Sequence, residues 1–295
     1  MIEKLDAHHH LWSVGSPHYP MMGAPDTDRY IGNTGRLKHE FGAVEYKALA
    51  ATRNVTRSVY VESAFVPHLE ETAFVQAIAD EHGFPSAIIS RADLASPDLS
   101  RDLDIHMRSA LFRGLRLMAN WDEDPAYRGT PDPHLLDDPA WRRGYAELGE
   151  RGLVAEVMVF PRQLTALARL AEELPDTRLV IGHGGIPLAR TAAEVKQWHD
   201  GMAALARLPH LDVKISGLGM ADHRWTLDGI RPLVERLIAL FGPSRAMFAS
   251  NWPVDALYSS WDMLWDAFDT ITADLPEPDR AALFRGTAMR VYSIV

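Results

Sequence analysis

The 295-residue chain contains no cysteine. Disulfides, thiolate metal centres and cysteine nucleophiles are therefore excluded. Positive charge is also scarce: 30 Lys and Arg stand against 40 Asp and Glu, a formal net charge of −10. Proteins that bind nucleic acid or anionic membranes in general carry the opposite balance, so neither partner is expected. No run approaches the roughly 20 apolar residues of a membrane span. Met1-Ile2-Glu3-Lys4 lacks the apolar stretch of a signal peptide, and a cytoplasmic location is the expectation. Internal repeats, low-complexity tracts and linker-like boundaries are missing too, which favours one domain over residues 1–295.

What is present is ordinary globular usage, 47% hydrophobic and 24% charged, arranged in a repeating order. Short apolar runs near residues 4–12, 57–63, 86–90, 111–118, 153–160, 178–182, 212–216 and 246–250 read as strands. Between most of them lie helix-like segments, at 41–52, 68–82, 97–110 and 139–151 and again after Pro161, which suits a first helical turn. Two more helices, about 255–275 and 278–292, close the chain. Eight strands alternating with helices in a chain of this size predict an α/β fold, a closed (β/α)8 TIM barrel. Two long polar stretches, 13–38 and 120–138, would be loops after the first and fourth strands. Loops of that length in a compact domain are usually functional or disordered.

In such a barrel the chemistry stands at the carboxyl ends of the strands. The polar residues there are His8, His10, Glu62, Arg113, Arg116, His183, Lys214, Ser216 and Asn251. Strand alternation places Asp6, His8 and His10 on one face, with Ala7 and His9 on the other. Two imidazoles so spaced can bind one metal ion or polarise a carbonyl, and a chance His-rich loop is the bland alternative. Arg116 could hold a carboxylate or form a rim ion pair. Lys214 and Ser216 share an inward face. A structural pairing of Lys214 with Glu62 or Glu156 stands beside a substrate contact. Asp255 reads as a helix N-cap. Trp12, Trp121, Trp252 and Tyr127 lie beside the strand ends or in the long loops, as local packing or as walls around a flat ring.

The motifs Asp6-Ala7-His8-His9-His10-Leu11-Trp12, Arg113-Gly114-Leu115-Arg116, His183-Gly184-Gly185-Ile186-Pro187, Val213-Lys214-Ile215-Ser216-Gly217 and Met247-Phe248-Ala249-Ser250-Asn251-Trp252-Pro253 carry a resemblance over essentially the whole chain. The sequence resembles the amidohydrolase-related (amidohydrolase 2) branch of the amidohydrolase superfamily, with its fuconolactonase-like and 2-pyrone-4,6-dicarboxylate lactonase-like members. The resemblance implies that His8, His10 and His183 form the reacting centre, holding one zinc ion or working without metal. It implies a hydrolase acting on the lactone of a small carboxylated substrate, with Glu62, Arg116, Lys214 and Ser216 as substrate contacts. The sequence leaves room for a homo-oligomer.

Two departures qualify the resemblance. The fourth strand has no lysine and the fifth has Glu156, Met158 and Phe160 but no histidine, so a binuclear metal site is not expected. At the eighth strand end, where relatives carry an aspartate, this chain has Asn251, as in a subgroup of the family. An amide cannot take a proton from water, but it can donate to an oxyanion or orient a substrate. His183, or a metal hydroxide on the three histidines, would then activate water. Lactone isomerisation, decarboxylation of an aromatic acid, and simple ligand binding at a degenerate site remain the alternatives.

Overall fold

The computed structural model describes residues 2–188 and 191–295. One parallel eight-stranded sheet follows chain order: β1 (Lys4–His9), β2 (Val55–Val61), β3 (Ala87–Ser90), β4 (Phe112–Met118), β5 (Val154–Met158), β6 (Leu179–Ile181), β7 (Leu211–Ile215) and β8 (Ala246–Phe248). The expected (β/α)8 barrel is the observed fold. Among the described residues no helix is long and apolar enough to cross a membrane.

Residues facing outward from the strands, such as Ile88, Leu115, Val157, Ile181, Val213 and Phe248, join the helices in one large core. A second cluster fills the barrel itself: Leu5, Ala7, Val59, Val61, Ala87, Ile89, Val154, Val180, Met247 and Ala249 pack with Val291 and Tyr292 from the chain end. Helix ends follow local chemistry. Asp138 accepts from Trp141 N ahead of Pro139, and Gly83 ends the helix His68–His82 in the left-handed conformation.

Two features of the sheet shape its mouth. First, Asp6 pairs with Ser58 and His9 with Tyr60, so three steps along β1 face two along β2. This bulge breaks the alternation expected there. Asp6 does not share a face with His8 and His10; it turns outward with His9 against Tyr46. The Tyr46 hydroxyl donates to Asp6 Oδ2 at 2.9 Å, and the His9 ring stacks on Tyr46 at 3.9 Å.

Second, the barrel seam closes beyond the end of β8. Asn251 N donates to His8 O and His10 N to Trp252 O, both at 2.8 Å. Asp6 reinforces this seam by accepting from Ser250 N at 2.7 Å and Ser250 Oγ at 2.6 Å. The same carboxyl accepts from His8 N at 3.2 Å. One buried carboxyl thus ties together the two segments that carry His8 and Asn251. Burial raises its pKa to about 6.

The expected strand-end position of Arg113 is corrected. It sits at the amino end of β4, where its guanidinium donates to the carbonyls of Tyr292, Ala110 and Phe112.

Candidate active site

Three imidazoles from distant parts of the chain meet at the mouth of the barrel. His8 lies 4.9 Å from His10 and 4.6 Å from His183, centroid to centroid. The bulge in β1 directs the first two here. His183 comes from a turn after β6 in which His183, Gly184, Gly185 and Ile186 all have positive φ. Such a turn suits glycine and is tolerated by histidine better than by most residues. A Cβ at Gly217 would lie 2.7 Å from His183 Nδ1, so the turn after β7 must be glycine for the ring to fit.

Ring orientations are set by fixed partners. His10 Nδ1 lies 2.9 Å from Val61 O. A carbonyl only accepts, so Nδ1 carries the hydrogen and His10 Nε2 presents its lone pair. That Nε2 is 3.3 Å from His8 Nε2. His183 Nδ1 pairs with Ser216 Oγ at 2.9 Å, while its buried Nε2 has no partner.

Burial holds all three rings neutral. His8 and His183 are pushed well below the usual histidine pKa by burial, with the Lys214 and Arg116 charges adding to it. Burial and then Arg116 bring His10 down to about 4.

A cavity of about 210 Å³ opens above them, lined by His10, Trp12, Tyr30, Glu62, Arg116 and Asn251 among others. Arg116 forms the expected rim ion pair, its Nη1 3.6 Å from Glu62 Oε1, longer than a hydrogen bond, while its Nε and Nη2 face the Met158 sulfur at 3.1 and 2.6 Å. Arg29 and Arg128 complete a wall with three guanidinium groups and one carboxylate. A second cavity of about 490 Å³, between Tyr127, Phe160, Arg162 and His223, adjoins the first at Tyr30 and Met220. It does not include the histidines.

Other expected contacts fall elsewhere. Lys214 is fully buried and donates to Glu156 Oε1 and Oε2 at 2.7 and 2.8 Å, the ion-pair alternative, so it does not reach the cavity. The Tyr292 hydroxyl donates to the same Glu156 at 2.6 Å. Ser216 serves His183 and lies outside the cavity lining. His183 and His8 form the floor behind the wall, leaving His10 as the ring that faces the cavity.

Asp255 is not an N-cap. Pro253 holds that position, and the Asp255 carboxyl is buried against Asn251. Of the aromatics, Trp12 lines the cavity and Tyr127 its neighbour. Trp252 is buried against Trp261, and Trp121 lies under Arg128 and Arg162. Tyr30, Arg29, Asn120 and Arg128 come from the two long loops and were not singled out from sequence.

The Amidohydrolase family model matches residues 5–294. The chain belongs to the amidohydrolase family. This amidohydrolase is 36% identical to protein y4mH of Sinorhizobium fredii, over 98% of both chains. It is 30% identical to L-fucono-1,5-lactonase of Burkholderia ambifaria, covering 100% of this chain and 97% of that one. A crystal structure of an amidohydrolase from Burkholderia multivorans with bound zinc superposes with a TM-score of 0.84 at 28% identity, over 99% of this chain and 100% of that one.

The zinc-bound neighbour raises the question of a metal in this amidohydrolase. Two nitrogens on a tetrahedral zinc, with Zn–N of about 2.0–2.1 Å, stand about 3.3 Å apart. His8 Nε2 and His10 Nε2 have that spacing. Their low basicity suits a metal, which needs neutral imidazole, and the Val61 carbonyl orients His10 as metal-ligating histidines are oriented. Among the described residues no three His, Asp or Glu side chains form a complete metal cluster. The pair therefore fits, and His183, with its unpartnered Nε2, becomes a third ligand only if its ring shifts.

Proposed function

We propose that this amidohydrolase hydrolyses a lactone of a small carboxylated acid at the His8, His10 and His183 mouth. The observation that carries the reading is the convergence of three neutral imidazoles under a small cavity whose wall has more guanidinium than carboxylate. The relatives named L-fucono-1,5-lactonase, at 30% and 27% identity over nearly the whole chain, support the reaction class.

In this reading His10 Nε2, the lone pair on the cavity wall, takes a proton from the attacking water. The base role expected of His183 passes to His10, because His183 lies behind the wall. Water oxygen bonds to the ester carbonyl carbon, the ring C–O bond breaks, and the leaving alkoxide takes the proton back as the hydroxy acid forms. Arg116 binds the carboxylate through its planar donors. Glu62, fixed by Ala64 N at 2.9 Å, accepts from a substrate hydroxyl. Alternatively, His8 and His10, with His183, would hold a zinc ion, in which case His10 Nε2 is a ligand and not the base, and the ion when bound would lower the pKa of water and polarise the carbonyl.

A second reading is L-fucono-1,5-lactone itself, which the relatives' names favour. Hydrolysis of 2-pyrone-4,6-dicarboxylic acid and of L-fucono-1,5-lactone, followed by proton release, separates the two. The carboxylated probe turning over faster, with Arg116→Met raising its KM about tenfold or more, is the expected result. Turnover of neither probe, nor of other simple lactones, overturns the reading.

A further inference from the structure

The eighth-strand amide is held by a partner that determines which of its atoms meets the substrate. Asn251 lines the histidine cavity. Its Nδ2 donates to Asp255 Oδ1 at 3.0 Å and approaches the Met220 sulfur at 3.3 Å. An amide nitrogen has two hydrogens; Asp255 takes one, and the other faces the Met220 sulfur on the cavity lining. With the NH2 group so engaged, the oxygen is the amide atom that remains for the cavity. The oxyanion donor expected from the sequence is thus already engaged.

Asp255 is itself fixed. It is 2% exposed and also accepts from Gly217 N, in the glycine turn on which His183 rests. Its backbone N donates to Asn251 O at 3.2 Å. A reversed amide would set the Asn251 oxygen against the Asp255 carboxylate, acceptor against acceptor. The backbone at Asn251 is left-handed, with φ of 54°, a conformation that asparagine tolerates well.

We infer that Asp255 is a positioning residue: by taking up the Asn251 NH2 group, it turns the amide oxygen toward the histidines, where that oxygen orients the attacking water. Water must offer a lone pair to a carbonyl carbon, so its two hydrogens need acceptors. His10 Nε2 takes one and Asn251 Oδ1 the other. An inward NH2 would instead donate to the water oxygen and occupy the lone pair that attacks. The orientation of the amide stands on the geometry alone, while the role of the water rests on the hydrolytic reading above.

The test combines steady-state hydrolysis of L-fucono-1,5-lactone and 2-pyrone-4,6-dicarboxylic acid with NMR of the Asn251 side-chain amide, assigned by its loss in Asn251→Asp. In the unsubstituted protein the two amide hydrogens are expected to be protected from solvent exchange, and Asp255→Ala to remove that protection. Asp255→Asn leaves one acceptor where two donors need one each. It is expected to lower kcat about tenfold or more with KM changed less than about threefold. The exchanged pair, Asn251→Asp with Asp255→Asn, reverses donor and acceptor, keeps an acceptor facing inward, and is expected to recover most of the lost kcat. Unprotected amide hydrogens in the unsubstituted protein, or an unchanged kcat in Asp255→Asn, overturn the inference. If no lactone is turned over, the functional reading fails while the amide signal still decides the role of Asp255.

Discussion

Replacing Lys214 by methionine would leave the Glu156 carboxylate without its cation at the centre of the barrel. The ammonium makes two short bonds, 2.7 and 2.8 Å, to that carboxylate, and the side chains are 0% and 3% exposed. Removing one partner of a buried pair typically costs about 3–5 kcal/mol, because the other is left charged and unpaired. Removing both costs far less, since neither desolvation penalty remains. Lys214→Met and Glu156→Gln are therefore each expected to lose about 3–5 kcal/mol, and the double variant to recover at least half of the summed loss. Glutamine still accepts from Tyr292, so that bond does not blur the comparison. For a domain of this size each single loss corresponds to a fall in Tm of roughly 6–20 °C. Urea denaturation of the four proteins gives the coupling directly. Strict additivity, with the double variant as unstable as the sum of its parts, would refute the pairing as the reason these two charges are buried.

Asp6→Ala removes the acceptor of four hydrogen bonds, two of them across the barrel seam. We expect about 3 kcal/mol or more of lost stability, with lactone turnover lost alongside, both measured on the same preparation; a change under 1 kcal/mol would show that the seam does not depend on it. His106, buried between Thr72 and Phe112 away from the site, has its pKa lowered to about 4 by burial. The folded state binds that proton less readily than the unfolded chain, so the stability tied to neutral His106 is complete above about pH 6.5. It is lost as pH falls through about 4, at most about 3 kcal/mol. His106→Gln should flatten the stability profile between those limits by about one proton, and an unchanged slope would contradict the assigned burial effect. Zinc titration into metal-free protein should reach about one ion per chain, with His8→Ala and His10→Ala each weakening it; binding that survives both variants would place the metal elsewhere.

The strands were legible because each is an apolar run that ends in a polar side chain, as Val180-Ile181 ends in Gly182-His183 and Ile215 in Ser216. Alternation failed at Asp6, since a bulge is a property of the pairing between β1 and β2 and leaves no mark in either strand alone. Arg113 was misplaced because it was grouped with Arg116, although it lies near the amino end of the expected strand 111–118 as of the observed Phe112–Met118. Asp255 was misread because an aspartate after Pro and before an apolar helix looks like a cap, and only the closed fold buries it against Asn251. Tyr30 and Arg29 belong to a loop without periodicity, so nothing local directed them to the cavity. Lys214 was readable as one of two alternatives, and Glu156, reaching it inside the barrel from β5 two strands away, decides between them.

Water adding to an ester carbonyl at the His10 wall is the central step of the proposed reaction. Turnover of L-fucono-1,5-lactone and 2-pyrone-4,6-dicarboxylic acid in water enriched in oxygen-18, with mass spectrometry of the product, measures that step directly. One labelled oxygen in the product carboxylate is expected, with a rate reduced about a hundredfold or more in His10→Ala. Product formed without label, or an undiminished rate in His10→Ala, would contradict the proposed step.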